Sequence, residues 1–93
     1  MKYEIIETNR FKKHRKACAK RGYDMRKLKE VVKLLAEGES LAAKYKDHAL
    51  SGNKAGFREC HISPDWLLIY QIDNGVLILT LCETGTHSDL FSL

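Results

Sequence analysis

Three of the chain's four histidines stand in short polar motifs in its second half: His48 in Tyr45-Lys46-Asp47-His48, His61 in Arg58-Glu59-Cys60-His61, and His87 in Gly85-Thr86-His87. Asp65 and Trp66 follow His61 closely. Histidine is the side chain that trades protons most readily near neutral pH. A single histidine is more often a surface or hydrogen-bonded residue than a catalyst, so the signal lies in the set. Three imidazoles with nearby carboxylates in a small domain point to acid–base chemistry. Cleaving RNA without a metal needs such a set. One group removes the proton of the 2′-hydroxyl, another protonates the departing 5′-oxygen, and a positive or hydrogen-bonding group stabilises the charge on phosphorus.

Glu59 and His61 lie two residues apart in an alternating segment, so they share one strand face. Asp65, at the end of the following turn, is placed to return to that face. Trp66 offers a flat surface for stacking a base, worth about 1–3 kcal/mol, although a tryptophan alternating with Tyr70 on an apolar strand also reads as core. His14, inside a lysine-rich helix, reads as a solvated face residue. The histidine spacings of 13 and 26 residues match no compact ligand motif, so neither a metal nor a cofactor is expected.

The scaffold is strongly polarised. Residues 1–54 hold fifteen Lys/Arg against seven Asp/Glu, while residues 55–93 hold one against five. The basic half is suited to attract phosphate, or is simply a solvated pair of lysine-rich helices. Proton-transfer groups on a basic scaffold make RNA the natural substrate. With 93 residues and a hydrophobic share of 44%, the chain reads as one folded domain over 1–93 rather than a disordered segment. Cys18, Cys60 and Cys82 are odd in number and far apart. They read as reduced core thiols of a cytoplasmic protein. The charged start offers no signal peptide, and no stretch approaches the roughly 18 apolar residues of a membrane span.

Periodicity supplies the elements. Lys2 to Glu7 reads as a short strand. Thr8 or Asn9 caps a helix over 10–21 that Gly22 stops. Asp24 caps a stronger helix, whose stripe of Met25, Leu28, Val31, Val32, Leu34 and Leu35 needs a partner surface, and Gly38 ends it. Residues 39–56 form a long connection carrying His48, and such segments are often functional. Strands follow over 57–62 and 66–72. Asp73-Asn74-Gly75 reads as a hairpin turn built on the positive φ that Asn-Gly tolerates. Val76 to Cys82 reads as a central strand buried on both faces, and 84–93 as a tail that Leu90 and Phe91 dock. The expected class is α+β, in the order β-α-α-β-β-β, with a helix hairpin on a small, mostly antiparallel sheet. The first strand joins an edge or lies beside the last strand.

Three strings, YKDHALSG (45–52), GFRECHISPDWLLIY (56–70) and ETGTHSDLF (83–91), are similar to those of the YafQ family, a branch of the RelE/ParE superfamily of toxins from type II toxin–antitoxin systems. The combination is specific, whereas each fragment alone is weak. The resemblance implies a RelE-like microbial-RNase fold. It also implies a ribosome-dependent endoribonuclease that cuts mRNA, with the 70S ribosome and mRNA as partners, held inactive by a cognate antitoxin. By the same resemblance His48, His61, Asp65 and His87 form the catalytic set, while Arg58, Glu59, Trp66 and Phe91 support it or contact substrate. His87 takes the general acid–base position, His48 and His61 share phosphate stabilisation and proton transfer, and Asp65 orients one of these last two.

Two other classes stand beside this one. ParE-type relatives share the scaffold but poison DNA gyrase without needing the histidines. A metal-dependent hydrolase would lose its activity to excess chelator.

Overall fold

The computed structural model describes residues 1–91, so Ser92 and Leu93 at the end of the expected tail lie outside the described residues. Strand β1 (Glu4–Glu7) leads into helix α1 (Asn9–Lys20) and helix α2 (Met25–Ala36). A 3₁₀ turn (Ala43–Tyr45), a two-residue strand β2 (His48–Ala49) and a second 3₁₀ turn (Gly52–Lys54) occupy the long connection. Strands β3 (Arg58–Ser63), β4 (Trp66–Asp73) and β5 (Ile78–Gly85) follow, and the short helix α3 (His87–Phe91) ends the described chain. The sheet order is β1-β5-β4-β3-β2. Only the β1–β5 pair is parallel. The first strand is therefore both an edge strand and the neighbour of the last.

Local chemistry sets the helix ends. The Thr8 side chain accepts from the Phe11 amide at 3.0 Å and starts α1, and Asp24 does the same for α2 through the Arg26 amide at 3.1 Å. Gly22, at φ +84°, turns the chain between the helices, a conformation that carries no steric penalty for glycine alone. The apolar stripes of both helices then meet one face of the sheet. Phe11, Cys18, Leu28, Val31 and Leu35 close over Cys60, Ile62, Trp66, Leu68, Tyr70, Leu79 and Leu81. All three cysteines are free and buried, as expected of small core residues.

β4 lies at the middle of the sheet and is buried on both faces. Leu68 and Tyr70 belong to the helix-side core. Leu67 and Ile69 alternate with them and are also fully buried.

Four expectations change. The described chain from Thr84 on is not a bare tail, since β5 runs to Gly85 and 87–91 form α3. The β4–β5 connection is not an Asn-Gly turn with positive φ. The left-handed residue is Leu77, at φ 56°, and the turn is instead organised by Asp73, whose carboxylate accepts from the Gly75 amide at 2.8 Å and the Val76 amide at 3.3 Å. Asn74 is recruited elsewhere, since its side chain accepts the Tyr3 hydroxyl. The central strand consequently starts at Ile78, and Val76 and Leu77 are exposed rather than buried. His14 is not merely solvated, because its Nδ1 accepts the Thr84 amide at 3.3 Å and helps to seat α1 on β5.

Candidate active site

Alternation along β3 places Glu59 and His61 on the face opposite the helix-side core residues Cys60 and Ile62. β2 pairs antiparallel with β3, with His48 opposite Glu59. Glu59 Oε1 thus lies 3.5 Å from His48 Nε2 and 3.7 Å from His61 Nε2. These separations make the carboxylate a charge shared by two imidazoles rather than a tight hydrogen-bond acceptor. The other nitrogen of each ring faces a backbone carbonyl: His48 Nδ1 is 2.8 Å from Lys46 O, and His61 Nδ1 is 3.2 Å from Pro64 O.

His87 arrives from the other end of the sheet. β5 ends at Gly85, and the Thr86 hydroxyl accepts the Asp89 amide at 3.1 Å while Asp89 Oδ2 accepts the Thr86 amide at 2.9 Å. This reciprocal pair starts α3 in the manner of a capping box. A Cβ at Gly85 would lie 2.9 Å from Asp89 Oδ2, so glycine is what admits the close approach. Arg21, at the end of α1, clamps the same carboxylate through two bonds of 2.6 and 3.2 Å. That guanidinium, with the Thr86 amide behind it, holds the Asp89 carboxyl well below the usual carboxylate range.

So fixed, His87 sets its ring 5.7 Å from that of His61 and 6.2 Å from that of Phe91, centre to centre. Its Nδ1 is 3.3 Å from Asp65 Oδ1. Its Nε2 has no hydrogen-bond or ion-pair partner among the described residues. The acidic partner of His87 is thus Asp65, whereas Glu59 serves His48 and His61. Donor atoms of Glu59, His61 and His87 lie within 4.8 Å of one another, close enough to hold a metal ion.

The model of the family described as "Bacterial toxin of type II toxin-antitoxin system, YafQ" matches residues 3–92. The chain belongs to the YafQ toxin family. The mRNA interferase toxin YafQ of Escherichia coli K12 is 40% identical over 89 residues, which cover 95% of each chain. YafQ in the crystal structure of the E. coli DinJ–YafQ complex superposes with a TM-score of 0.88 at 40% identity, covering 96% of this chain and 98% of that one. The metal-bound toxin from Helicobacter pylori gives a TM-score of 0.90 at 45% identity, covering 96% and 99%. The expected α+β fold of YafQ and related toxins is thereby established.

Not every residue singled out from the YafQ-like motifs reaches the cluster. His48, Glu59, His61, Asp65, His87 and Phe91 do. Arg58 lies on the opposite face of β3, where its Nη2 bonds Asp47 Oδ2 at 3.0 Å. Trp66 is only 4% exposed. Its Nε1 donates to Thr84 Oγ1 at 2.9 Å and its ring packs edge-on against Tyr23, so no open indole face is left for a base. Phe91, 37% exposed beside His87, offers the accessible aromatic surface instead.

Asp47 was overlooked as a working residue. It accepts the Tyr70 hydroxyl on one oxygen and Arg58 on the other, and so ties the loop before His48 to the sheet. Its place one residue before His48 was the available signal.

Proposed function

We propose that this YafQ-family toxin cleaves mRNA on the translating ribosome by metal-independent acid–base catalysis. In this scheme the 2′-oxygen attacks phosphorus, the bond to the 5′-oxygen breaks, and the products are a cyclic or 3′-phosphate and a 5′-hydroxyl. His48 and His61, with Glu59 between them, share removal of the 2′ proton and stabilisation of the phosphoryl charge. His87 delivers the proton to the leaving 5′-oxygen through Nε2, while Asp65 holds Nδ1–H and so fixes the tautomer. Phe91 stacks a neighbouring base. Arg58 and Trp66 support the site from behind, the first through Asp47 and the second through Thr84. A cognate antitoxin neutralises the chain, as the DinJ–YafQ complex suggests for its E. coli relative. We place this activity in the cytoplasm, where ribosomes work. No helix among the described residues is long and apolar enough to cross a membrane.

The observation that supports this scheme best is the meeting of three imidazoles from β2, β3 and α3 around two carboxylates. The test is growth. Expression of the chain without its antitoxin should arrest cells, and His87→Ala should restore growth, consistent with the ~10²–10⁴-fold contribution of a positioned acid or base. Undiminished toxicity of that variant would overturn the assignment.

A second scheme is metal-assisted hydrolysis, favoured by the donor atoms of Glu59, His61 and His87 and by the metal-bound H. pylori relative. It requires that cleavage stop in excess chelator, whereas the acid–base scheme requires that it continue.

A further inference from the structure

The imidazole cluster is poorly equipped to hold RNA by itself. Glu59 and Asp65 set two carboxylates among its three histidines. The neighbouring strong cations are already engaged: Arg58 with Asp47, Arg21 with Asp89, and both Arg10 and Lys54 with Glu83. Phosphate-neutralising charge must therefore come from cations without an internal partner.

Three such cations lie along one groove. Lys27 from α2, and Lys44 and Lys46 from the 3₁₀ turn and its end, line a groove of about 440 Å³ together with Tyr45 and His61. All three lysines are exposed, and none enters an ion pair among the described residues. Among the described residues the sole acid lining the groove is Glu30. Its volume falls within the ~300–1,000 Å³ usual for ligand sites. Two of the lysines make local contacts. Lys46, in the left-handed region at φ 48°, offers its carbonyl to His48 Nδ1. The Lys44 ammonium lies 5.1 Å from the centre of the Tyr45 ring, within cation–π range. His61 belongs both to the groove and to the cluster, so a strand crossing the cluster continues into the groove.

We propose that this groove is a phosphate track for the nucleotides on one side of the scissile linkage, with Lys27, Lys44 and Lys46 neutralising successive phosphates of the bound single strand. This rests on the nuclease scheme above. It assigns the three charges to the substrate strand rather than to ribosomal RNA.

The test measures binding of an uncleavable 2′-O-methyl RNA oligomer, spanning a cut site mapped in cells, by fluorescence anisotropy at several salt concentrations. Each single-strand phosphate contact contributes a slope of about −0.7 to log K against log salt. The triple variant Lys27→Ala/Lys44→Ala/Lys46→Ala should lower the slope by about 2. Its loss of affinity between about 50 and 200 mM salt should then be roughly 20-fold smaller than that of the parent. The matching Lys→Arg variant should keep the parental slope. In turnover the loss should fall on KM more than on kcat.

An unchanged slope, or loss of vacant-ribosome binding with oligomer binding intact, would overturn the proposal. A parent that binds the oligomer through these lysines but never cuts RNA would uphold the track and refute the nuclease scheme.

Discussion

Tyr70→Phe removes one hydroxyl from the fold and leaves the ring packing unchanged. Tyr70 is 1% exposed, and its hydroxyl donates to one oxygen of Asp47, while Arg58 Nη2 holds the other oxygen at 3.0 Å. A hydrogen bond to a charged acceptor contributes about 1.5–3 kcal/mol. Arg58 remains in the variant, and the Asp47 side chain is 24% exposed, so water replaces part of what is lost. The expected loss is therefore about 1–2 kcal/mol. For a domain of this size each kcal/mol moves Tm by about 4–8 °C, which gives a drop of roughly 4–16 °C in calorimetry or circular dichroism. Asp47 precedes His48 directly, so the same variant should also lower kcat by freeing the loop that carries the imidazole. Asp47→Asn makes the second side of a double-mutant cycle, in which the two changes should couple by at least about 0.5 kcal/mol. A Tm within about 2 °C of the parent, or strict additivity, would refute the idea that this trio fixes the His48 loop.

Further outcomes concern pH and the C-terminal helix. Burial, reinforced by the Asp47 and Glu59 charges, pushes the Cys60 thiol up to about 12 from its ordinary 9.0. The unfolded chain then releases a proton that the folded chain keeps, so this contribution is full below pH 9.0 and is lost as pH rises toward about 12. Cys60→Ala should flatten the alkaline fall of Tm. The Asp89 carboxyl is shifted the other way, chiefly by Arg21. Its contribution is present above the ordinary 3.8 and is lost as pH falls below it, so Arg21→Gln should bring acid unfolding on at higher pH. Thr86→Ala removes the cap that starts α3. It should destabilise that end by roughly 0.5–2 kcal/mol, with faster amide exchange over 87–91 and reduced cleavage, because His87 rides on this helix.

Much of the fold was legible because strong local signals agreed. Thr8, Gly22, Asp24 and Gly38 bracket two helices whose stripes face one way, and 57–62 alternates, up to the irregularity between His61 and Ser63 in the β3–β4 pairing. Glu59 and His61 were assigned to one face on that alternation alone. What escaped depends on distant partners. Two residues of β2 carry no periodicity of their own, and β3 is what makes His48–Ala49 a strand. The Asn-Gly signal at 74–75 yielded to Asp73 and Tyr3, which claim the turn's polar groups. The alternation that joins Glu59 to His61 already turns Arg58 to the other face, but that Asp47 engages Arg58 there and Thr84 engages Trp66 depends on partners distant in sequence. The pairing of Asp65 with His87 spans 22 residues and needs both the end of β5 and the Arg21 clamp on α3, neither of which leaves a mark in local sequence.

The chemistry of the severed ends decides the mechanism most directly. RNA cut by the purified toxin on ribosomes supplied with mRNA, in excess chelator added after ribosome assembly at a level the ribosomes survive, should carry 5′-hydroxyl termini and cyclic or 3′-phosphates. Fragments bearing 5′-phosphate and 3′-hydroxyl, or cleavage that vanishes while the ribosomes stay intact, would mean that the 2′-oxygen is not the nucleophile or that the imidazoles serve a metal.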